Sequence, residues 1–224
     1  MNGPLVLIPV NRLERAKGRL AELLSAEQRA ELALTTLATA WEAAVEATGA
    51  AVILTADPRV GVLLGPNAEV MEEDTAGSGL NDQLMRARAG LLRRGRVGTA
   101  EAILILHADL PLATPGALER LIAASPGERS ATMVASGDGG TNALLEWPVG
   151  SMELCYGAGS AARHAESARA AGLAVAWHES RELSLDLDTP ADVVALLNDA
   201  AGLRTPAGKL LSTFNLRARL ESAR

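Results

Sequence analysis

The sequence predicts an α/β fold, a mostly parallel mixed sheet covered by helices in one domain. Two observations point there. Short apolar runs alternate with longer alanine-rich segments, the order expected of strand–helix–strand units. Apolar residues make up 48 % of the 224 and aromatics only 2 %, so aliphatic side chains and alanine must fill a large core, and alanine favours helix in the connections.

The elements follow in order. Leu5–Val10 reads as a buried strand. Asn11–Leu20 is polar and basic, a loop. Ser25 and Gln28 fit a capping box opening a helix to about Thr48, with Leu34, Leu37, Trp41 and Val45 on one face. Ala51–Thr55 is a second strand closed by Asp57-Pro58, and Glu69–Glu72 a third. Gly77–Asn81 is a loop entering another helix, and Ala102–Leu106 is the clearest buried strand. Thr114-Pro115 supplies an N-cap and a first-turn proline for the next helix. Strands follow at Ala131–Ala135 and Asn142–Trp147, separated by a turn at Gly137–Thr141. Gly157–Ser160 leads into a helix to about Ala171, Leu173–Trp177 and Leu183–Asp188 are the last strands, and Thr189–Asp192 caps a further helix. The domain is expected over residues 1–198; the pattern fades after Asp199, so 199–224 reads as a mobile or partner-docking tail.

The formal net charge of −6 argues against nucleic acid or an anionic membrane as partner, while leaving a phosphorylated small molecule open. One cysteine, Cys155, forbids an internal disulfide and permits a reducing compartment, and with three histidines a structural zinc site is not expected. The first residues lack a basic region and their apolar run is too short for a signal or a span, so a cytoplasmic protein is expected.

Three aspartates stand out. Asp109 lies just past a buried strand, at the edge where parallel sheets bind ligands. Asp186 and Asp188 sit two apart on an extended segment, so both face one side. Magnesium chemistry on phosphates needs such carboxylates; a turn before Leu110-Pro111 and ordinary helix electrostatics at Asp188 are the plain alternatives. Lys17 and Arg19 could clamp a triphosphate, or simply form a solvated loop. Gly157-Ala158-Gly159-Ser160-Ala161-Ala162 matches a dinucleotide fingerprint, with Glu179 near the expected acidic position. It lies too late in the chain for that, and a helix-start nest for phosphate or carboxylate, with Ser160 adding a hydroxyl, is the better reading; a ligand-free helix start looks the same. Thr141-Asn142 follows a glycine cluster that would let a ligand near the backbone, as an ordinary turn would also do. His107 and His164 read as structural, and Cys155 as core.

Together these blocks resemble the 2-phospho-L-lactate or phosphoenolpyruvate guanylyltransferases of deazaflavin coenzyme biosynthesis. The resemblance runs from Leu5 to about Leu197. It is carried by Ile8-Pro9-Val10 with Ala16–Leu20, Gly79-Leu80-Asn81, Ala108–Leu112, Gly140–Leu144, Tyr156–Ser160 with Ala162-Arg163-His164, and Leu185–Asp192. It implies a single-domain nucleotide-diphospho-sugar transferase fold, GTP as substrate, and one or two magnesium ions on Asp109, Asp186 and Asp188, with these three and Lys17 as the catalytic set. It implies a nucleotide side at Pro9, Val10, Lys17, Arg19, Gly79, Leu80 and Asn81, and an acid side at Thr141, Gly157 and Ser160. The acid is phosphoenolpyruvate or 2-phospho-L-lactate, with 3-phospho-D-glycerate also open. A downstream transferase and a second copy of the chain stay open as protein partners. The chain departs from the family pattern at Asn11, where lysine is usual, and in the turn Ser136–Gly140. A nucleotidyltransferase of the same fold acting on molybdenum cofactor or a sugar phosphate, and a non-catalytic nucleotide-binding module, are the alternatives.

Overall fold

The computed structural model describes residues 3–73, 79–214 and 216. Seven strands form one sheet: β1 (Leu5–Val10), β2 (Ala51–Thr55), β3 (Glu69–Glu72), β4 (Ile103–Leu106), β5 (Ser130–Ala135), β6 (Thr141–Trp147) and β7 (Ala174–Trp177). Their order is β3-β2-β1-β4-β6-β5-β7. Only β6 runs against the others, pairing antiparallel with both β4 and β5. β1 pairs parallel with β2 on one side and β4 on the other. The chain therefore reverses its direction of travel across the sheet at β1/β4, the switch point where open α/β sheets bind ligands.

Within β1, alternation sends Val6 and Ile8 into one cluster and Leu5 and Leu7 into the other, so the strand is covered on both faces. Helices α1 (Ala26–Thr48) and α4 (Pro115–Ala123) cover the first face. Helices α3 (Leu80–Arg93) and α5 (Ser160–Ala170) cover the second. α1 starts on the expected capping box: the Ser25 hydroxyl accepts from the Gln28 N–H, and the Gln28 side chain accepts from the Ser25 N–H. Thr114 caps α4 with Pro115 in its first turn. Among the described residues no helix is long and apolar enough to cross a membrane.

Several expectations need correction. The buried face of α1 is carried by Ala33, Leu37, Ala40 and Ala44; Leu34 and Trp41 only flank it, and Val45 is 37 % exposed. Small alanines let the helix approach the sheet closely, and that outweighs the bulkier stripe. A short helix, α2 (Arg59–Leu64), follows Pro58 where none was expected. The basic loop contains two tight helical turns, Leu13–Arg15 and Gly18–Leu20. Leu183–Asp188 is not a strand: Arg181–Ser184 forms the one-turn helix α6, capped by the Ser180 hydroxyl, and residues 185–188 run outside the sheet. β5 already has β6 and β7 as neighbours, so the segment turns to the loop after β4, where the Leu187 N–H donates to the Asp109 carbonyl. In the region expected as a tail, the described residues continue the fold. α8 (Pro206–Thr213) follows α7 (Pro190–Asn198), and Ala207, Leu211 and Leu216 are buried with Leu196 and Leu197. Gly77 and Ser78 lie outside the described residues.

Candidate active site

The loops after β1 and β4 meet at the switch point. Lys17, from the first, takes a left-handed backbone conformation (φ 54°) that is uncommon for a side-chain-bearing residue. Its loop is tied down at the other end by Asp57, whose carboxylate accepts from the Leu13 N–H at 3.0 Å. The Lys17 ammonium, 5 % exposed, sits 3.1 Å from Asp109 and 3.0 Å from Asp188. The three residues come from loops 92 and 171 positions apart in sequence.

The Asp186–Asp188 segment is positioned by the residue between the two acids. Leu187 is fully buried and clusters with Leu20 and Leu112, each three residues after Lys17 and Asp109 respectively. One apolar cluster thus anchors all three loops, while the alternation of an extended segment keeps both carboxylates off the core. Asn142 completes the support: its side-chain amide donates to the carbonyls of Leu183 and Ser184 at 3.1 Å, with Asp186 at 3.5 Å.

The electrostatics are those of an acidic cluster with one internal cation. Burial alone would lower the Lys17 pKa, but Asp109 and Asp188 outweigh it and raise it. Burial pushes the Asp109 carboxyl up, yet Lys17 and then His107 hold it below the usual carboxylate range. Asp186 is raised by burial and then by repulsion from Asp109, with Asp188 adding to it. Among the described residues one oxygen of Asp109 (Oδ1) is buried without a hydrogen-bond partner, with His107 Nδ1 4.0 Å away. Among the described residues no three acidic, histidine or cysteine groups converge into a ready-made metal site. The donor set nevertheless suits a hard cation: all-oxygen carboxylates, one oxygen without a hydrogen bond, and a net negative charge that Lys17 alone does not cancel.

The second half of the site lies across β6. Gly157 and Gly159 adopt positive φ (124° and 64°), turning the chain into α5. The expected backbone nest is partly used up, because the Ser160 N–H donates to the Gly157 carbonyl and the Ala161 N–H to the Gly139 carbonyl. Thr141 and Ser160 are brought together, their hydroxyl oxygens 3.0 Å apart. His164 joins them: its Nδ1 lies 3.0 Å from the Thr141 hydroxyl, and its Nε2 accepts from the Cys155 N–H at 2.8 Å. Asn81, expected on the nucleotide side, binds both backbone polar groups of Tyr156 and so docks the start of α3 on this turn. Arg19 is exposed, Val10 is buried in the core, and Pro9 pairs in register with Leu54. Gly79 caps α3 and Leu80 begins it. The dinucleotide reading has no support: β6 and β7 run in opposite directions because each pairs differently with β5, so α5 does not join parallel strands, and Glu179 is exposed beyond β7.

Comparison with known proteins gives this geometry a relative. The profile of the family described as "Guanylyl transferase CofC like" matches residues 4–214. The chain belongs to that family. A phosphoenolpyruvate guanylyltransferase of Sphaerobacter thermophilus is 36 % identical over 208 residues, covering 88 % of this chain and 93 % of its own. A 2-phospho-L-lactate guanylyltransferase of Halorubrum lacusprofundi is 34 % identical over 193 residues, covering 86 % and 83 %. Among solved structures, a candidate nucleotide-diphospho-sugar transferase of Desulfovibrio desulfuricans G20 superposes with a TM-score of 0.76 at 17 % identity, over 97 % of this chain and 98 % of the other. That likeness shows the shared fold. This CofC-like guanylyl transferase is therefore a nucleotidyltransferase whose acidic cluster sits at the switch point of that fold. Two contributors escaped the sequence reading, Asn142 as the tether of the Asp186 segment and His164 as the partner of Thr141. The adjacency of Asn142 to Thr141 and the spacing of His164 from Ser160, one helical turn, were the available signals.

Proposed function

We propose that this CofC-like guanylyl transferase joins GMP from GTP to the phosphate of phosphoenolpyruvate or 2-phospho-L-lactate, releasing pyrophosphate, in deazaflavin coenzyme biosynthesis. The observation that carries the reading is the buried Lys17 ammonium bridging Asp109 and Asp188 at the switch point, with Asp186 alongside. The activities of its relatives, one a phosphoenolpyruvate and one a 2-phospho-L-lactate guanylyltransferase, support the choice of acids.

An oxygen of the acid's phosphate attacks the α-phosphorus of GTP. A new P–O bond forms, the bond from the α-phosphorus to the bridging oxygen breaks, and pyrophosphate leaves with that electron pair. The attacking oxygen is already anionic, so the enzyme's work is positioning and charge neutralisation rather than proton removal. Lys17 steadies charge at the reacting phosphates from its fixed left-handed position. The exposed Arg19 faces the triphosphate from the same loop. The Gly157–Ser160 turn, with Thr141, seats the acid. Asp109, Asp186 and Asp188 would hold one or two magnesium ions, which when bound supply further neutralisation between the two anionic substrates. Soluble metabolites as substrates suit a cytoplasmic enzyme.

Asp188→Ala tests the assignment. Turnover of GTP is expected to fall by at least about 100-fold, the usual scale for losing a group that stabilises transition-state charge, while thermal melting stays near that of the parent. Near-normal turnover would place the chemistry elsewhere.

A further inference from the structure

The buried trio Thr141, Ser160 and His164 has a polarity that the hydrogen-bond geometry fixes at its His164 end. A backbone N–H can only donate, so His164 Nε2, 2.8 Å from the Cys155 nitrogen, is a bare acceptor. His164 is 0 % exposed. Burial first, then the charges of Arg163 and His107, hold its pKa down to about 4, so the ring is neutral near pH 7. A neutral ring that accepts at Nε2 carries its proton on Nδ1 and donates it to the Thr141 hydroxyl oxygen at 3.0 Å. Of the two directions open to the 3.0 Å Thr141–Ser160 contact, donation from Thr141 leaves the spare hydrogen on Ser160, the residue beside the exposed turn. The Ser160 hydrogen is the proton left over: no recipient for it is found among the described residues. Ser160 is the first residue of α5, directly after the exposed Gly157–Gly159 turn.

We infer that His164 is a positioning residue that sets the direction of this relay, so that Ser160 presents a fixed hydrogen-bond donor to an anionic oxygen of the acid, with the Thr141 hydroxyl acting through it. The inference rests on the acid-binding reading given above. It separates two hydroxyls that would otherwise appear equivalent: that of Ser160 contacts the acid, and that of Thr141, with His164, holds Ser160.

Nitrogen-15 NMR of histidine-labelled protein, together with steady-state kinetics, tests it. The spectrum is expected to show His164 neutral with its proton on Nδ1. His164→Ala is expected to raise KM for the acid about tenfold or more, the scale of one hydrogen bond to a charged group, with KM for GTP unchanged. Ser160→Ala should do the same, and the double variant should lose no more than either single one, because the two act in series. His164→Asn, which keeps a donor near the Nδ1 position, should recover most of the loss; it also serves if the alanine variant does not fold. A proton on Nε2, additive losses, or an equal rise in KM for GTP would overturn the inference while the guanylyl transfer itself stood. A parent enzyme that turns over none of the acids with GTP would instead remove the reading beneath it, and the inference with it.

Discussion

Lys17 shows how much one residue can carry. Its ammonium is the internal counter-ion of Asp109 and Asp188, held by a left-handed backbone that few side-chain-bearing residues adopt. Lys17→Met keeps the stem and removes the charge. It is expected to reduce kcat/KM by about 100-fold or more. The Asp109 carboxyl, now buried without its cation, should titrate higher, which carbon-13 NMR of its carboxyl would follow. Unchanged titration would mean that Lys17 does not hold Asp109 ionised. The sequence singled out Lys17 and all three aspartates by type and by place at strand ends. It could not show that Lys17 lies between the acids, because that contact joins residues 92 and 171 positions apart.

At the scale of elements, apolar clusters decide where the chemistry sits. Leu187 anchors the two aspartates that flank it beside Leu20 and Leu112. Leu187→Ala is expected to destabilise the fold by about 2–5 kcal/mol, as for other buried leucines, and to lower activity beyond what unfolding explains, read as denaturant midpoint against kcat. A loss of stability with full activity in the folded fraction would show that Leu187 does not position the acids. The last helices are equally integral. A Cβ on Gly208 would come within 2.0 Å of the Gly202 carbonyl oxygen, a backbone atom that cannot swing away. Gly208→Ala should therefore lower the melting temperature despite alanine's better helix propensity. An unchanged or raised melting temperature would contradict the packing of α8 on the Gly202 turn. Strands in the sheet were legible because runs such as Ile103–Leu106 are apolar on both faces. Leu183, Leu185 and Leu187 imitate a strand by alternation, yet Leu183 packs in the cluster under α1 and α4 and the other two in the α7–α8 cluster, a tertiary choice that local pattern does not contain.

For the whole molecule, the pH dependence of stability follows from groups whose protonation is fixed by the fold. His164 is held down to about 4 from an ordinary 6.5. The unfolded chain then binds a proton that the folded chain refuses, so the stabilising difference is fully present above about pH 6.5 and is lost as pH falls towards 4. Its size is at most roughly 3 kcal/mol from the shift in pKa. Denaturant midpoints measured from pH 7 to pH 4 should decline, and His164→Asn should flatten that decline. A parallel decline in both proteins would assign it to other groups. The architecture itself was readable as alternating strands and helices on a mostly parallel sheet. The single reversed strand β6 was not, since its short turn from β5 is local but its pairing with β4 is not.

The measurement that bears most directly on the proposed reaction is pyrophosphate release with magnesium, crossing GTP, ATP and CTP against phosphoenolpyruvate, 2-phospho-L-lactate and 3-phospho-D-glycerate. The proposed reaction predicts release with GTP and one of the first two acids, and its loss in Asp188→Ala. Silence from folded protein in every combination, or release with ATP or CTP but not GTP, would contradict it.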